Sequence, residues 1–141
     1  MPLIRERLAS GESVSFSVHG TSMLPMLKDG RDQVILSQLP PKLKKYDLPL
    51  YQRDNGQYVL HRIIKVTDEY TCIGDNQFIA EKGLRFDQMI GVVTGFIRKG
   101  REYPTDNLSY QVYCRFWHYT RSFRFICRKI KIKLSKLKKK K

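Results

Sequence analysis

Short segments with alternating or β-branched residues run through the first hundred positions of the chain. The segment SVSFSVHG alternates Val14, Phe16 and Val18 with serines, the period of two that is typical of a half-buried strand. Asn55-Gly56 in QRDNGQYV predicts a hairpin, because this pair readily adopts positive φ angles. The other predicted strands are QVILSQL, LPLYQ, YVLHRIIKV, YTCIGD and MIGVVTGFI. Many short strands at close spacing favour a mainly β fold, either an antiparallel β-barrel or packed sheets.

A helical pattern replaces the strand pattern near residue 108. It follows Thr105-Asp106, which would cap a helix, and predicts a basic amphipathic C-terminal helix from about Leu108 to Leu137. Such a helix would be roughly 45 Å long. The alternation in KIKIKL leaves a terminal strand from Lys129 as an alternative. The apolar stripe of the helix consists of Leu108, Val112, Phe116, Tyr119, Phe123, Cys127, Ile130, Leu134 and Leu137.

The charge of the chain is concentrated in the same C-terminal segment. The formal net charge is +14, from 27 basic and 13 acidic residues. Residues 108–141 contain 12 of the basic residues and no Asp or Glu, so residues 1–107 are nearly neutral. We therefore expect two parts with different roles, a body of residues 1–107 and a basic tail of residues 108–141.

Several classes of protein are disfavoured by composition. Arg5, Glu6 and Arg7 interrupt the N-terminal segment, so we expect neither a cleavable signal peptide nor a membrane span there. The three cysteines are widely spaced and odd in number, which favours reduced thiols in a cytoplasmic protein and no metal site. No glycine-rich phosphate loop is present, and no cofactor is expected.

Three stretches carry residues suited to acyl transfer. Ser22 stands in GTSMLPML, His61 in YVLHRIIKV and Asp75 in CIGDNQ. A serine hydroxyl needs a neighbouring base to take its proton, and histidine is suited to that task. A carboxylate on the other ring nitrogen would fix the histidine tautomer. The spacing alone does not bring the three side chains together.

The same stretches resemble the successive motifs of the signal peptidase and LexA-type superfamily of serine peptidases. The similarity covers roughly residues 13–101 and includes GTSMLPML, GRDQVIL, KKYDLPLY, YVLHRI, CIGDNQ and MIGVVTGFIRKGR. In that family a Ser-Met-x-Pro motif contains the nucleophile, a later strand supplies the base, and a Gly-Asp-Asn motif follows. His61 stands where the base is expected, so the chain resembles the Ser-His branch. The resemblance implies a coiled antiparallel β-barrel-like body of the LexA and signal peptidase type.

The resemblance also implies roles for the residues around Ser22. Ser22 would be the nucleophile, with Met23 and Pro25 shaping the loop beneath it. Its backbone N–H would donate to the oxyanion. Signal peptidases often place a second serine two positions before the nucleophile. Here that position is Gly20, a departure for which Thr21 would compensate in part.

The leading hypothesis is a cytoplasmic serine endopeptidase that cleaves a peptide or protein precursor after a small residue. Ser22 would attack, His61 would relay the proton and Asp75 would orient His61, with Asp87 as the reserve carboxylate. His19 and His118 are interpreted as structural or surface residues. In the alternative reading Ser22, His61 and Asp75 are ordinary turn and strand residues. The domain would then be catalytically silent and would bind through its tail. An anionic membrane surface at the inner face is favoured over nucleic acid, which does not need the apolar stripe.

Overall fold

The computed structural model describes residues 2–140, and its fold is mainly β. One antiparallel sheet of six strands curls into half a barrel, a second has three strands, and helices follow at the C-terminus. In chain order the elements are α1 (Pro2–Ala9), β1 (Val14–Ser17), β2 (Asp32–Ser37), β3 (Pro49–Gln52), β4 (Tyr58–Leu60), β5 (Arg62–Val66), β6 (Tyr70–Ile73), β7 (Glu81–Leu84), a 3₁₀ turn (Phe86–Gln88), β8 (Met89–Arg98), β9 (Arg101–Pro104), α2 (Leu108–Tyr119) and α3 (Arg121–Lys139).

The ten-residue strand β8 is the centre of the larger sheet. The strand order is β1-β2-β8-β3-β4, and β9 also pairs with β8. Strand β2 buries Asp32, Val34 and Leu36 and turns the residues between them outward, as the period of two requires. Val34 lies opposite Phe96 of β8. The smaller sheet has the order β5-β6-β7, so consecutive strands are neighbours.

Two hydrophobic clusters hold these elements together. The first packs α1 and α2 against the larger sheet through residues such as Leu8, Leu36 and Tyr110. The second joins the two sheets, with Tyr51 from β3 and Ile63 from β5 both fully buried. The space between the sheets is therefore closed by side chains from both of them.

The mainly β, antiparallel body is confirmed, and several elements differ from expectation. YVLHRIIKV is not one strand, because the chain leaves the larger sheet after β4 and enters the smaller one at β5. Helix α1 and strands β7 and β9 were not expected, since EKGL and REYP are polar or contain breakers. The hairpin at Asn55-Gly56 is present, with Gly56 at a φ of 90°.

The C-terminal segment is helical but is not one continuous helix. Thr120 separates α2 from α3 with φ and ψ of −92° and 2°, and its hydroxyl donates to the Phe116 carbonyl at 2.7 Å. This side-chain bond competes with the backbone ladder and favours a bend. The alternative of a strand from Lys129 is wrong, because α3 continues to Lys139. Lys141, the last residue of the predicted tail, lies outside the described residues.

Candidate active site

The loop between β1 and β2 carries Ser22 and is held against the body by two buried side chains. Ser22 is half-buried, whereas Met23 and Leu27 belong to the first hydrophobic cluster. The Leu27 N–H donates to the Met23 carbonyl at 2.9 Å, which closes a turn under the serine. Pro25, within that turn, is exposed. Gly20 takes a φ of 85°, a conformation that favours glycine.

The turn after β6 fixes the same loop from the other side. The Asn76 N–H donates to the Ser22 carbonyl at 2.9 Å, and the Asn76 amide donates to the Thr21 carbonyl at 3.1 Å. A Cβ atom on Gly74 would lie 2.5 Å from the Ser22 carbonyl oxygen, so only glycine permits this approach. Gly74 and Asn76 therefore position Ser22, a role that the sequence analysis did not assign to them.

His61 lies at the point where the chain passes from the larger sheet to the smaller one. It is 5% exposed. Its Nδ1 is 3.4 Å from the Tyr51 hydroxyl, a long hydrogen bond, and Tyr51 donates its proton to Glu81 at 2.7 Å. Arg53 donates to both oxygens of the Glu81 carboxylate, at 2.8 and 3.0 Å. The hydroxyl of Tyr51 has one proton and donates it to Glu81, so the Tyr51 oxygen accepts a hydrogen bond from His61 Nδ1–H. In this tautomer the free lone pair of the imidazole is on Nε2.

The surroundings of His61 keep its ring neutral. Burial, and next the positive charge of Arg53, lower its pKa to about 4. Burial alone would raise the pKa of Glu81, but hydrogen bonds from Arg53 and Tyr51 bring it below its ordinary value. At neutral pH the site therefore contains a neutral imidazole beside a carboxylate whose charge is already compensated.

The structure gives Asp75 a different partner from the one expected. Its carboxylate accepts from Arg62 at 2.9 and 3.0 Å and from the Tyr113 hydroxyl at 2.9 Å. Within residues 2–140, no hydrogen bond joins Asp75 to His61. The physical reason is the buried Arg62 guanidinium, which needs a buried carboxylate close to it. The bond at Nδ1 is made by Tyr51, which in turn contacts Glu81.

Sequence reasoning missed Tyr51 and Glu81 because no local pattern marks them. They lie on β3 and at the start of β7, ten and twenty residues away from His61, and only the packing of the two sheets brings them together. The reserve carboxylate Asp87 is exposed and pairs with Arg85. His19 is exposed at the surface, and His118 packs edge-on against Tyr46.

Ser22 and His61 lie together at the junction of two cavities. The cavities have volumes of about 900 and 440 Å³ and share Ser22, Arg53, His61 and Gln77 as lining residues. Thr21 lines the larger cavity and Gly20 the smaller one. Among the described residues, the Ser22 hydroxyl makes no hydrogen bond, so it is not engaged with His61 in this structure. Ser22 therefore borders open space in both cavities.

From residue 2 to residue 140, no group of three or more His, Cys, Asp or Glu side chains is placed to hold a metal ion. The site described above consists of Ser22, the neutral His61 and the pair Tyr51–Glu81, in which Tyr51 contacts His61.

Comparison with protein-family models and with the curated proteins gave no match.

Proposed function

We propose that the protein is a serine endopeptidase of the signal-peptidase-like kind, acting through Ser22 and His61. The observation that carries the proposal is the position of both residues at the junction of two cavities, where burial keeps His61 neutral. The Ser-Met-x-Pro and Gly-Asp-Asn motifs support the same class. In this structure the two motifs contact each other through Asn76 and the Ser22 carbonyl.

The proposed reaction begins with attack of Ser22 Oγ on a peptide carbonyl carbon. His61 Nε2 takes the hydroxyl proton as the C–O bond forms, and then gives it to the leaving amine as the C–N bond breaks. Water, activated by the same nitrogen, hydrolyses the acyl-enzyme and restores Ser22. Binding of a peptide would bring Oγ and Nε2 into hydrogen-bond reach, because catalytic contacts are often loose before substrate binds.

A backbone donor is available for the oxyanion in this reaction. The Ser22 N–H makes no hydrogen bond with another residue of the described part of the chain. Thr21, directly before it, is exposed and lines the larger cavity. Donors that are fixed before the reaction contribute most to the stabilisation of the oxyanion. Here the bonds from Asn76 to Thr21 and Ser22 hold the backbone in place.

The proposal is tested by labelling the full chain with a fluorophosphonate probe. Ser22→Ala should abolish labelling, and His61→Gln should slow it by about three powers of ten or more, because the hydroxyl loses its base. Ser17→Ala is the matched control, since Ser17 also lines the smaller cavity and should leave labelling unchanged. Persistent labelling of a folded Ser22→Ala protein would refute the assignment of the nucleophile.

A second candidate function is favoured by the exposed stripe on α2 and α3. Eight of its nine residues expose between 54% and 78% of their surface, and Cys127 is exposed as well. No helix among residues 2–140 is long and apolar enough to cross a bilayer. An exposed apolar stripe flanked by lysine and arginine is suited to lie at an anionic lipid surface. We propose that the tail holds the body at such a surface, on the cytoplasmic side.

A further inference from the structure

The segment of α3 from Phe125 to Ile132 forms part of the wall of the larger cavity. Phe125 and Ile132 line it together with Arg128 and Lys129, and Ser22 and His61 line the same cavity. Phe125 packs against Phe78 with ring centroids 5.0 Å apart, which keeps this part of the helix beside the larger cavity, the substrate cleft of the proposed peptidase. These four residues are separate from the exposed stripe, so α3 has two faces with different surroundings.

The charge of the cavity is positive. Among the described residues that line it, Glu81 is the only acidic one, and Arg53 donates to both oxygens of its carboxylate. Arg128 and Lys129 make no ion pair within the described residues. Their cationic groups rest over aromatic rings instead, Arg128 at 5.5 Å from the Phe78 centroid and Lys129 at 4.5 Å from that of Phe125. Two cations are thus held at the cleft without a carboxylate partner.

Apolar surface lies directly beside these two cations. Ile79 is 87% exposed, and the exposed residues Phe125 and Ile132 line the same cavity. A ligand that matches this wall needs an apolar group next to a negative charge. A peptide segment with neighbouring Leu and Glu side chains meets both requirements.

We propose that α3 forms a cationic, apolar subsite that selects peptide segments in which an acidic residue stands beside an apolar one. The inference rests on the proposed peptidase function, because it names the substrate class of that same cleft. The acidic side chain pairs with Arg128 and Lys129, while the apolar side chain contacts Ile79, Phe125 and Ile132. The wall thereby holds one part of the substrate while another part lies across Ser22.

The test is peptide binding to the full chain carrying Ser22→Ala, so that cleavage does not interfere. The probes are a fluorescein-labelled peptide with Leu-Glu pairs on both sides of an Ala-Ala centre, and its twin with Gln in place of Glu. We expect about tenfold tighter binding of the acidic peptide at low salt, since exposed ion pairs are weak singly and two of them act together here. Combined Arg128→Glu and Lys129→Glu substitutions should remove this preference.

The matched control is the pair Lys138→Glu and Lys139→Glu, which changes the net charge equally but lies outside the cleft. It should leave the preference unchanged. Equal affinity for the two peptides, or equal loss in the control pair, would overturn the subsite. Fluorophosphonate labelling of the wild-type chain separates the two proposals. If the wild-type chain is labelled but does not prefer the acidic peptide, the peptidase proposal stands and the subsite is rejected. If it prefers the acidic peptide but is not labelled, the cavity binds peptides without the proposed chemistry.

Discussion

At the scale of single residues, the environment of His61 decides how the site responds to pH. An exposed histidine has a pKa near ~6.5 and would be half protonated in weakly acidic solution. In this protein the pKa of His61 is lowered to about 4. Burial is the largest cause, and the positive charge of Arg53 is the second. The negative charges of Glu81 and Asp75 oppose the shift without cancelling it. The imidazole of His61, the proposed base, therefore stays neutral over a wider pH range.

We predict that the rate of fluorophosphonate labelling at Ser22 stays constant from neutral pH down to about pH 5. It should fall only as His61 becomes protonated, with an apparent pKa of about 4. Labelling rates measured from pH 3.5 to 8 test this expectation, with the ring signals of His61 followed by NMR over the same range. A midpoint near 6.5 in both measurements would contradict the proposed environment.

The same shift has a consequence for stability. As pH falls, the unfolded chain takes up the His61 proton near pH 6.5 and the folded chain only near pH 4. The stability contributed by neutral His61 is therefore complete above pH 6.5 and is lost as pH falls to 4. The loss would amount to about 3 kcal/mol. In His61→Gln this part of the pH dependence should disappear from the free energy of unfolding.

At the scale of elements, a buried ion pair joins β5, the turn after β6 and helix α2. The Arg62 guanidinium and the Asp75 carboxylate are 2% and 1% exposed. Arg62 also donates to the Tyr110 hydroxyl at 2.7 Å, and Tyr113 donates to Asp75. Trp117 adds a bond from its indole N–H to the Asp75 carbonyl at 2.6 Å. Helix α2 is thus attached to the body through Arg62 and Asp75, and Arg62 directly follows His61, the proposed base.

We predict that Asp75→Ala lowers the free energy of unfolding by about 3–5 kcal/mol, because it leaves the Arg62 charge buried without a partner. Urea unfolding measures the loss. Trp117, the only tryptophan, reports on the position of α2 through a red shift of its emission. Asp87→Ala is the matched control and should change stability by less than about 0.5 kcal/mol, since its ion pair is exposed.

Asp75→Asn keeps an acceptor for Arg62 and should lose less stability than Asp75→Ala. It provides the comparison if the alanine variant does not fold. Equal stability of the Asp75→Ala and Asp87→Ala proteins would show that the ion pair does not anchor α2.

At the scale of the whole molecule, the basic charge and the exposed apolar residues coincide on the C-terminal helices. Helix α2 contributes Tyr110 and Cys114 to the first cluster, whereas α3 buries no residue. Deletion of residues 108–141 would therefore remove part of the core as well as the stripe. Point substitutions in α3 are the cleaner test of surface binding.

We predict that the full chain co-sediments with vesicles of phosphatidylglycerol and phosphatidylcholine, and less with phosphatidylcholine alone. Each lysine near the anionic surface contributes about 1 kcal/mol, and added salt should weaken the binding. Ile130→Asn combined with Leu134→Asn should reduce sedimentation at least about tenfold, because the stripe loses apolar surface. Ile132→Asn, on the cleft face, is the control.

Two outcomes would reject this role of the tail. Equal sedimentation with neutral and anionic vesicles would remove the electrostatic contribution. Equal loss in the stripe variant and the Ile132→Asn control would show that the stripe is not the binding face.

The sequence by itself determined the local features of this protein. Alternating residues in SVSF and DQVILS specify strands because a strand turns successive side chains to opposite faces. The 3.6-residue period and the basic residues specify the C-terminal helices and their exposed stripe. The proposed roles of Ser22 and His61 came from motifs that are local in sequence. These features depend on neighbours a few positions away, which a sequence shows directly.

Only the tertiary structure decided which distant groups meet. It divided YVLHRIIKV between two sheets, put Tyr51 and Glu81 behind His61, and gave Asp75 to Arg62. It also laid Phe125 of α3 along the cleft. Each of these contacts joins residues that are ten or more positions apart, and no periodicity encodes such pairs. They are selected when the two sheets and the helices pack, because a buried charge must find its partner among whichever side chains the packing brings within reach.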